Sequence, residues 1–443
     1  MCNDAAAFAE ISERSLTFAA KSAMKTVPLI KNKDVHITAP PSKAHTLRAL
    51  IIGSLADGQS VICNPLVGQD QLNVIECLRH LGVTIERDKN FIAVSGCSGS
   101  YAPAEEKLDV GESGVGMNFL TAASCFAIKP VCITGSKRLC QRPLGELVKG
   151  LRQLGCKIEY LEKEGFLPLK NFGAGIKGGR AGIKGGETSQ YFSALAISAP
   201  YADKQVTLEC LDQMSERPYF DISLQMLREF GGQADNQDYK LITVSNGKRY
   251  GGRRIQIEGD YSSAAFFFLA AAICGTKVTV EGLNPASRQG DKVFVNLLEK
   301  MGCSVTVTGE AVSIEGGVLQ AIERDMGNIP DLLPPLSVAA GFAKGTSRFT
   351  NVSRLTMKES DRIAVMVSEL DKMGVTASYD GDSLLVEGAE KIQPAVIDPH
   401  NDHRIAMSFA AAGLRCGGQV IENEKCVGKS FPDFWEKFEV FTR

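Results

Sequence analysis

Residues 77–85 read CLRHLGVTI, and this pattern returns four times further along the chain. The copies are GLRQLGCKI (150–158), MLREFGGQA (226–234), LLEKMGCSV (297–305) and ELDKMGVTA (369–377). Each combines the end of an amphipathic helix, a glycine and the start of a strand, and glycine readily takes the left-handed conformation that ends a helix. The glycines stand at 82, 155, 231, 302 and 374, so the intervals are 73, 76, 71 and 72 residues. The chain is therefore built from repeated units of similar length.

A second pattern alternates with the first and consists of segments rich in small residues. Examples are SSAAFFFLAAAICG (262–275) and DHRIAMSFAAAGLRCG (402–417). Six such segments start near positions 45, 114, 188, 261, 331 and 402, at intervals of 69, 74, 73, 70 and 71 residues. Helices that are apolar on every face are buried. We predict six units, each with two helices and several short strands, in which FPDFWEKFEVF (431–441) is the last amphipathic helix.

The fold class follows from where these helices must lie. Because the small-residue helices are predicted to be buried, we expect helices inside and sheets outside, the reverse of an ordinary α/β protein. A chain of 443 residues is too long for one hydrophobic core. We therefore expect two domains of three units each.

Composition excludes several functional classes. The net charge of −2 provides no field for nucleic acid or a membrane surface, and no apolar run is long enough to span a bilayer. The thirteen cysteines lack paired spacing and are typical of buried thiols in a reducing compartment. Residues 1–24 do not resemble a targeting peptide and are treated as an N-terminal extension. We expect a cytoplasmic protein, with neither nucleic acid nor a membrane as partner.

Polar residues precede each small-residue helix, as in PSKAHTLR (41–48) and GGETSQ (185–190). Helix N-termini favour anions, so six of them could form one anion site in the cleft between the domains. The alternative is that these residues only cap the helices. Capping does not explain Lys43, Arg48, Gln190 or Arg404. Further basic residues stand in loops punctuated by glycine or proline, namely Arg142, Arg217, Lys358, Arg362 and Lys429.

Other motifs are weak. Residues 173–178 spell GxGxxG, but no helix follows directly and no acidic residue stands at the expected distance, so we interpret them as a hairpin turn. His400 and His403 have no matching cysteine or carboxylate set for a metal site. We expect neither a metal nor an organic cofactor.

From about Lys31 onward the chain resembles the EPSP synthase family of 3-phosphoshikimate 1-carboxyvinyltransferases. The matching segments occur in the family's order: SKAHTLR, QRPL, TSQY, RPYFD, EGDYSSAAFF, QGD, NIPD, KESDR, NDHR and GKSFPDF. The resemblance implies two inside-out α/β domains, each of three βαβαββ repeats, with the active site in the interdomain cleft. It implies domains at 41–258 and at 25–40 plus 259–443.

The resemblance also implies a reaction and its substrates. The enolpyruvyl group of phosphoenolpyruvate is transferred to the 5-hydroxyl of shikimate 3-phosphate, through a tetrahedral adduct, and phosphate is released. We expect these small molecules as partners and a monomeric enzyme.

Residue by residue, the resemblance assigns three groups. The catalytic residues are Lys43, Asp331 and Glu359. Shikimate 3-phosphate is bound by Lys43, Arg48, Thr188, Ser189, Gln190, Tyr219, Asp331, Arg354 and Lys358. Phosphoenolpyruvate is bound by Lys43, Gly114, Arg142, Gln190, Arg362, Arg404 and Lys429.

Three positions depart from the family pattern. Ala44 replaces a usual serine, Arg354 replaces a frequent asparagine, and the usual NxGTxxR loop reads ESGVGMN at 112–118. Val115 and Phe119 stand where threonine and proline are usual in members that glyphosate inhibits, so we expect weaker inhibition here. There are three alternatives: an enolpyruvyl transferase that acts on a different acceptor, the related UDP-N-acetylglucosamine enolpyruvyl transferase, and a non-catalytic homologue. The KNAALP segment and the loop cysteine that characterise the second of these are absent here.

Overall fold

The computed structural model describes residues 23–443, so all but two residues of the predicted extension 1–24 lie outside the described residues. Two kinds of helix alternate along the described chain. The α-helices are α1 (Lys43–Leu55), α2 (Gln69–His80), α3 (Gly114–Ala123), α4 (Gly145–Gln153), α5 (Gln190–Ser198), α6 (Arg217–Glu229), α7 (Tyr261–Cys274), α8 (Val293–Met301), α9 (Leu333–Gly341), α10 (Arg362–Lys372), α11 (His403–Cys416) and α12 (Phe434–Phe438). The odd-numbered helices are the predicted small-residue helices, and the even-numbered ones are amphipathic.

Short strands separate the helices. They are β1 (Lys25–Val27), β2 (Asp34–Thr38), β3 (Gln59–Cys63), β4 (Thr84–Arg87), β5 (Phe91–Ser95), β6 (Lys107–Asp109), β7 (Val131–Thr134), β8 (Ile158–Tyr160), β9 (Leu169–Asn171), β10 (Gly179–Ile183), β11 (Val206–Cys210), β12 (Ala234–Gln237), β13 (Leu241–Val244), β14 (Arg254–Gln256), β15 (Lys277–Glu281), β16 (Ser304–Thr308), β17 (Ala311–Glu315), β18 (Glu323–Asp325), β19 (Thr346–Thr350), β20 (Ala377–Tyr379), β21 (Leu384–Glu387), β22 (Val396–Ile397) and β23 (Gln419–Ile421).

The strands form six small sheets within the described residues, and five of them share one topology. The unit β6–α3–β7–α4–β8–β9 gives a sheet in the order β6-β7-β9-β8, with β6 parallel to β7 and the other neighbours antiparallel. The same arrangement recurs in β10-β11-β13-β12 and β18-β19-β21-β20. This is the predicted βαβαββ repeat.

The two N-terminal strands, β1 and β2, pair with strands of the second half of the chain. The first sheet takes its parallel outer strand from β14 rather than from β2, in the order β14-β3-β5-β4. Strand β2 instead pairs with β15, in the register Asp34↔Lys277 to Thr38↔Glu281. The three-stranded sheet of the second half, β1-β23-β22, also contains an N-terminal strand, because β1 pairs with β23. The chain therefore crosses between the halves twice.

The buried apolar residues fall into two separate clusters. The first core contains residues from Leu47 to Ile257, and the second core contains Val27, Val35 and Ala39 together with residues from Tyr261 to Phe441. Within the first core α3 packs against α1 and α5, and within the second α7, α9 and α11 pack against each other. The sheets lie outside these helices, so both domains are inside-out as predicted. On this partition we propose domains at 41–258 and at 25–40 plus 259–443.

The repeated glycines end the amphipathic helices as predicted, because all five have positive φ values: Gly82 (89°), Gly155 (89°), Gly231 (99°), Gly302 (113°) and Gly374 (82°). The interpretation of residues 173–178 as a hairpin turn is wrong. They connect β9 to β10, and these strands belong to different sheets. In residues 23–443 we find no helix with the length and apolarity needed to cross a membrane.

Candidate active site

One cavity lies where the N-terminal ends of the six buried helices meet. Lining residues come from the start of each of them: Lys43 for α1, Gly114 for α3, Gln190 for α5, Ser262 for α7, Asp331 for α9, and His403 and Arg404 for α11. Residues from both halves of the chain therefore form its wall. Free N–H groups and the positive ends of the helix dipoles converge there, and both favour an anionic ligand.

At three of these helix ends the capping residue is one that the sequence did not assign to ligand binding. Ser113 Oγ accepts from Gly116 N at 3.1 Å, Asp260 Oδ1 from Ser263 N at 3.0 Å, and Asp402 Oδ1 from Arg404 N at 3.0 Å. The second oxygen of Asp260 accepts from Lys43 N at 2.9 Å, so this carboxylate joins α1 to α7 across the cleft. The caps fix the helix ends and leave the neighbouring basic side chains free to serve the cavity.

Arg362 organises the carboxylates of the site although it does not line the cavity itself. Its guanidinium is fully buried and lies 3.1 Å from Asp331 Oδ1, 3.0 Å from Glu359 Oε2 and 3.0 Å from Asp402 Oδ2. Three fixed hydrogen bonds from one planar group set the orientation of all three carboxylates. Since each partner is negative, they raise the pKa of Arg362 despite its burial.

Asp331 lies between two arginines. Its second oxygen is 2.8 Å from Arg404 Nη2 and accepts a hydrogen bond from Tyr219 Oη at 3.0 Å. Burial by itself would raise the pKa of Asp331, but Arg404 and Arg362 outweigh it and hold the pKa well below its usual range. These contacts therefore favour the ionised carboxylate.

Glu359 faces three cations. Besides Arg362, Lys429 Nζ lies 3.5 Å and Arg142 Nη1 3.9 Å from its Oε1. Burial favours the neutral acid, yet Lys429, Arg362 and Arg142 hold the pKa of Glu359 well below its usual range. A Cβ atom at position 114 would lie 2.6 Å from Arg142 Nη1, so glycine there makes room for this guanidinium.

Lys43 extends the charge network into the first core. Its Nζ lies 2.7 Å from Asp70 Oδ2, and the Asp70 side chain is only 3% exposed. His403 lines the same part of the cavity, and its two ring nitrogens have no hydrogen-bond partner among the described residues. Burial, together with the nearby charges of Lys43 and Arg404, lowers the pKa of His403 well below its usual value, so the imidazole is neutral.

The predicted acceptor-binding residues gather at another end of the cavity around Glu216. Lys358 Nζ lies 2.6 Å from Glu216 Oε1, and Thr188 Oγ1 donates to Oε2 at 2.6 Å. Ser189 Oγ donates to the Glu216 carbonyl at 2.8 Å. Burial acts to raise the pKa of Glu216, but Lys358 and Arg354 prevail and lower it.

Arg48 and Tyr219 form the wall between these groups. The buried Arg48 donates to Ser223 Oγ at 2.7 Å, to the Ala44 carbonyl at 2.9 Å and to the Tyr219 carbonyl at 2.8 Å. A guanidinium has five N–H donors, so two are left for a ligand carboxylate. Burial lowers the pKa of Arg48 to about 10, which leaves the side chain charged at neutral pH.

Sequence reasoning missed several acidic residues in the cavity wall. They are Asp70, Glu216, Asp260 and Asp291. Asp291 receives a hydrogen bond from Ser262. Burial, with the charge of Asp331, raises its pKa to about 7. Three of the four stand inside or beside motifs that the sequence displays, SERPYFD, EGDYSS and QGD, which was the available signal.

Ten of the fifteen predicted site residues line the cavity: Lys43, Arg48, Gly114, Arg142, Gln190, Tyr219, Asp331, Lys358, Glu359 and Arg404. The other five lie behind the wall. Arg362, Thr188 and Lys429 contact the carboxylates of the cavity-lining residues Asp331, Glu216 and Glu359, respectively. Ser189 donates to the backbone carbonyl of Glu216. Arg354 Nη2 donates to the Gly327 carbonyl at 2.5 Å. Across residues 23–443 no group of three or more histidine, cysteine or carboxylate side chains is arranged to hold a metal ion.

Comparisons with known proteins agree with this geometry. The family model of EPSP synthase (3-phosphoshikimate 1-carboxyvinyltransferase) matches residues 30–438. A 3-phosphoshikimate 1-carboxyvinyltransferase of Methanoculleus marisnigri is 41% identical over 405 residues, covering 91% of this chain and 96% of that relative. One from Vibrio cholerae is 36% identical over 411 residues, covering 92% and 96%.

A solved structure matches as well. The EPSP synthase of Acinetobacter baumannii superposes with a TM-score of 0.78 at 28% sequence identity, covering 94% of this chain and 98% of that one. The repeat, the cavity at the six helix ends and these matches lead to one conclusion: the chain belongs to the EPSP synthase family.

Proposed function

We propose that this protein transfers the enolpyruvyl group of phosphoenolpyruvate to the 5-hydroxyl of shikimate 3-phosphate, giving 5-enolpyruvylshikimate 3-phosphate and phosphate. The observation that carries the proposal is the set of cations around one cavity, Lys43, Arg48, Arg142, Lys358 and Arg404. Both substrates carry a phosphate and a carboxylate, so a site with several fixed cations matches their charge.

In this proposal phosphoenolpyruvate occupies the part of the cavity beside Gly114. Arg142 and Arg404 line it directly, while Lys429 and Arg362 lie behind Glu359 and Asp331. In the structure these cations face protein carboxylates. Binding of the anionic substrate gives Arg142 and Arg404 new partners and weakens their hold on the carboxylates, which moves the pKa values of Asp331 and Glu359 upward.

That shift is what acid–base chemistry requires. Asp331 accepts the proton of the 5-hydroxyl while the hydroxyl oxygen of the acceptor bonds to C2 of phosphoenolpyruvate. A proton is delivered to C3, and the tetrahedral adduct results. Loss of a proton from C3 then expels phosphate from C2 and forms the C2=C3 double bond of the product's enol ether. We assign Glu359 and Lys43 to proton transfer at C3 and at the leaving phosphate, because both flank the cavity.

We also propose the setting in which the enzyme works. We place it in the cytoplasm, since all twelve cysteines between residues 23 and 443 are free thiols. We propose a monomer, in which both halves of one chain supply residues that line the cavity. We propose that the reaction needs neither a metal nor an organic cofactor, because the chemistry is proton transfer and charge stabilisation.

The test is phosphate release from phosphoenolpyruvate by the purified protein. Shikimate 3-phosphate is compared with unphosphorylated shikimate and with UDP-N-acetylglucosamine as acceptors, and the organic product is identified by mass spectrometry. We expect rapid release only with shikimate 3-phosphate. Release with another acceptor, or with none of the three, contradicts the assignment.

A further inference from the structure

The part of the cavity beside Lys358 and Thr188, here called the acceptor end, contains the carboxylate of Glu216. This side chain is 2% exposed and accepts from Lys358 Nζ and Thr188 Oγ1, both at 2.6 Å. These distances are typical of charge-assisted hydrogen bonds. The family resemblance assigns the same two donors, Lys358 and Thr188, to shikimate 3-phosphate. One protein carboxylate therefore occupies donors that the acceptor also needs.

The backbone holds Glu216 firmly at this point. Its φ is +53°, in the left-handed region that residues other than glycine seldom adopt. Its N–H donates to the Gly327 carbonyl at 3.0 Å, and its own carbonyl accepts from Ser189 Oγ at 2.8 Å. Arg354 Nη2 donates to the same Gly327 carbonyl. Glu216 is thus fixed by contacts from both halves of the chain.

The charges make the carboxylate a competitor for a phosphate. Lys358 and Arg354 are the cations near Glu216, and its negative charge offsets one of them. A dianionic phosphate that approaches Lys358 meets a desolvated carboxylate of like charge, and buried like charges repel strongly. A ligand with no phosphate at this end meets no such repulsion.

We propose that Glu216 is a specificity-determining residue that competes with the phosphate of the acceptor for Lys358 and Thr188. The inference rests on the proposed function, because it assumes a phosphorylated acceptor. Binding then requires the phosphate to displace the carboxylate from Lys358, so Glu216 weakens the affinity for the acceptor and sets how strongly the site discriminates by charge.

Isothermal titration of Glu216→Gln tests the inference. Glutamine keeps the size of the side chain and an oxygen for Thr188 Oγ1 but removes the charge. We expect the Kd for shikimate 3-phosphate to fall at least tenfold, while the Kd for unphosphorylated shikimate stays within twofold. An unchanged or higher Kd for shikimate 3-phosphate, or an equal change for both ligands, overturns the proposal.

Two further variants complete the design. Glu369→Gln is the matched control, because Glu369 is also buried and paired with a lysine, Lys372, at 2.7 Å, but does not line the cavity. It must leave both Kd values unchanged. Glu216→Asp keeps the charge on a shorter stem, so its Kd for shikimate 3-phosphate must lie closer to that of the parent protein than to that of Glu216→Gln. The reverse order overturns the proposal.

The outcome also separates this inference from the proposed function. If the parent protein neither binds nor converts shikimate 3-phosphate, the proposed function is wrong. If the parent protein converts it and Glu216→Gln does not bind it more tightly, the proposed function stands and the role of Glu216 is wrong.

Discussion

Arg362 Nη1 lies 3.1 Å from Asp331 Oδ1, and the guanidinium that makes this contact is fully buried. The two groups therefore have to be changed with care. Truncating one member of a buried ion pair leaves the other charge unpaired and costs about 3–5 kcal/mol of stability. Substitutions that keep the shape of the side chain are needed to separate a catalytic effect from unfolding.

Asp331→Asn and Glu359→Gln are such substitutions. We expect each to lower kcat by roughly a hundredfold or more, because each removes a positioned acid or base. The measurement is steady-state phosphate release with both substrates, with thermal melting to confirm folding. Asp371→Asn, on the exposed face of α10, is the control and should keep the parent kcat. Parent-like rates in both test variants would show that neither carboxylate transfers a proton.

Arg404→Lys tests the proposed role of Arg404 in binding phosphoenolpyruvate. Lysine keeps the positive charge but loses the planar pair of donors that a carboxylate or phosphate matches, so we expect phosphoenolpyruvate to bind at least tenfold more weakly. Calorimetry in the presence of shikimate 3-phosphate measures this. The control is Arg415→Lys, in the exposed last turn of the same helix, α11. An affinity equal to that of the parent protein would show that Arg404 does not bind phosphoenolpyruvate.

The start of α3 governs a prediction about glyphosate. Ser113 Oγ caps this helix, so the helix end does not need the threonine hydroxyl that Val115 lacks. The effect of Val115 falls instead on the cavity, which it lines with two methyl groups. The buried Phe119 packs with its ring 5.3 Å from the Arg48 guanidinium. We expect glyphosate to inhibit weakly while phosphoenolpyruvate is still used, because the longer inhibitor is crowded more than the compact substrate.

Inhibition kinetics with varied phosphoenolpyruvate measure this, and Val115→Thr is expected to bind glyphosate more tightly than the parent protein. Competitive inhibition of the parent protein at glyphosate concentrations far below the KM for phosphoenolpyruvate would refute the idea.

Asp291 gives the protein a pH-dependent contribution to stability. Its pKa is raised to about 7 by burial and by Asp331, whereas an aspartate in the unfolded chain titrates near about 3.9. Between these two values the folded state binds more protons, so this residue makes stability fall as pH rises from about 4 to 7. Asp291→Asn removes that contribution. We expect its Tm, relative to the parent protein, to increase from pH 5 to pH 8, and a constant difference would contradict the assignment.

The sequence predicted the repeat well because its signals are local. Glycine at 82, 155, 231, 302 and 374 and the small-residue runs specify helix ends and burial without knowledge of distant contacts. The wrong interpretation of residues 173–178 has the opposite cause. A glycine-rich loop indicates a turn, but whether the strands on either side pair with each other depends on the sheet that each one joins.

The candidate site shows the same division. Lys43 and Arg404 were found because basic residues at helix starts are unusual. The acidic residues Asp70 and Glu216 were missed, because neither the helix start that contains Asp70 nor the SERPYFD motif that contains Glu216 indicates which charge the carboxylate faces. Their importance arises from partners 27 and 142 positions away in the chain, Lys43 and Lys358. Only the folded arrangement brings these charges together.

Strands β1 and β2 precede the first domain in the chain but pair with strands of the second. This arrangement determines the order in which the two cores can form on the ribosome. The first core is complete once residue 257 has emerged, because all of its members precede that point. Strand β1 is made before the first core, yet its partner β23 ends at Ile421. The second core must therefore wait until β23 has been made, while the first can fold as a unit during synthesis. Arg404 and Lys429 are made after the whole first core, so the proposed set of phosphoenolpyruvate-binding residues is still incomplete when the first core folds.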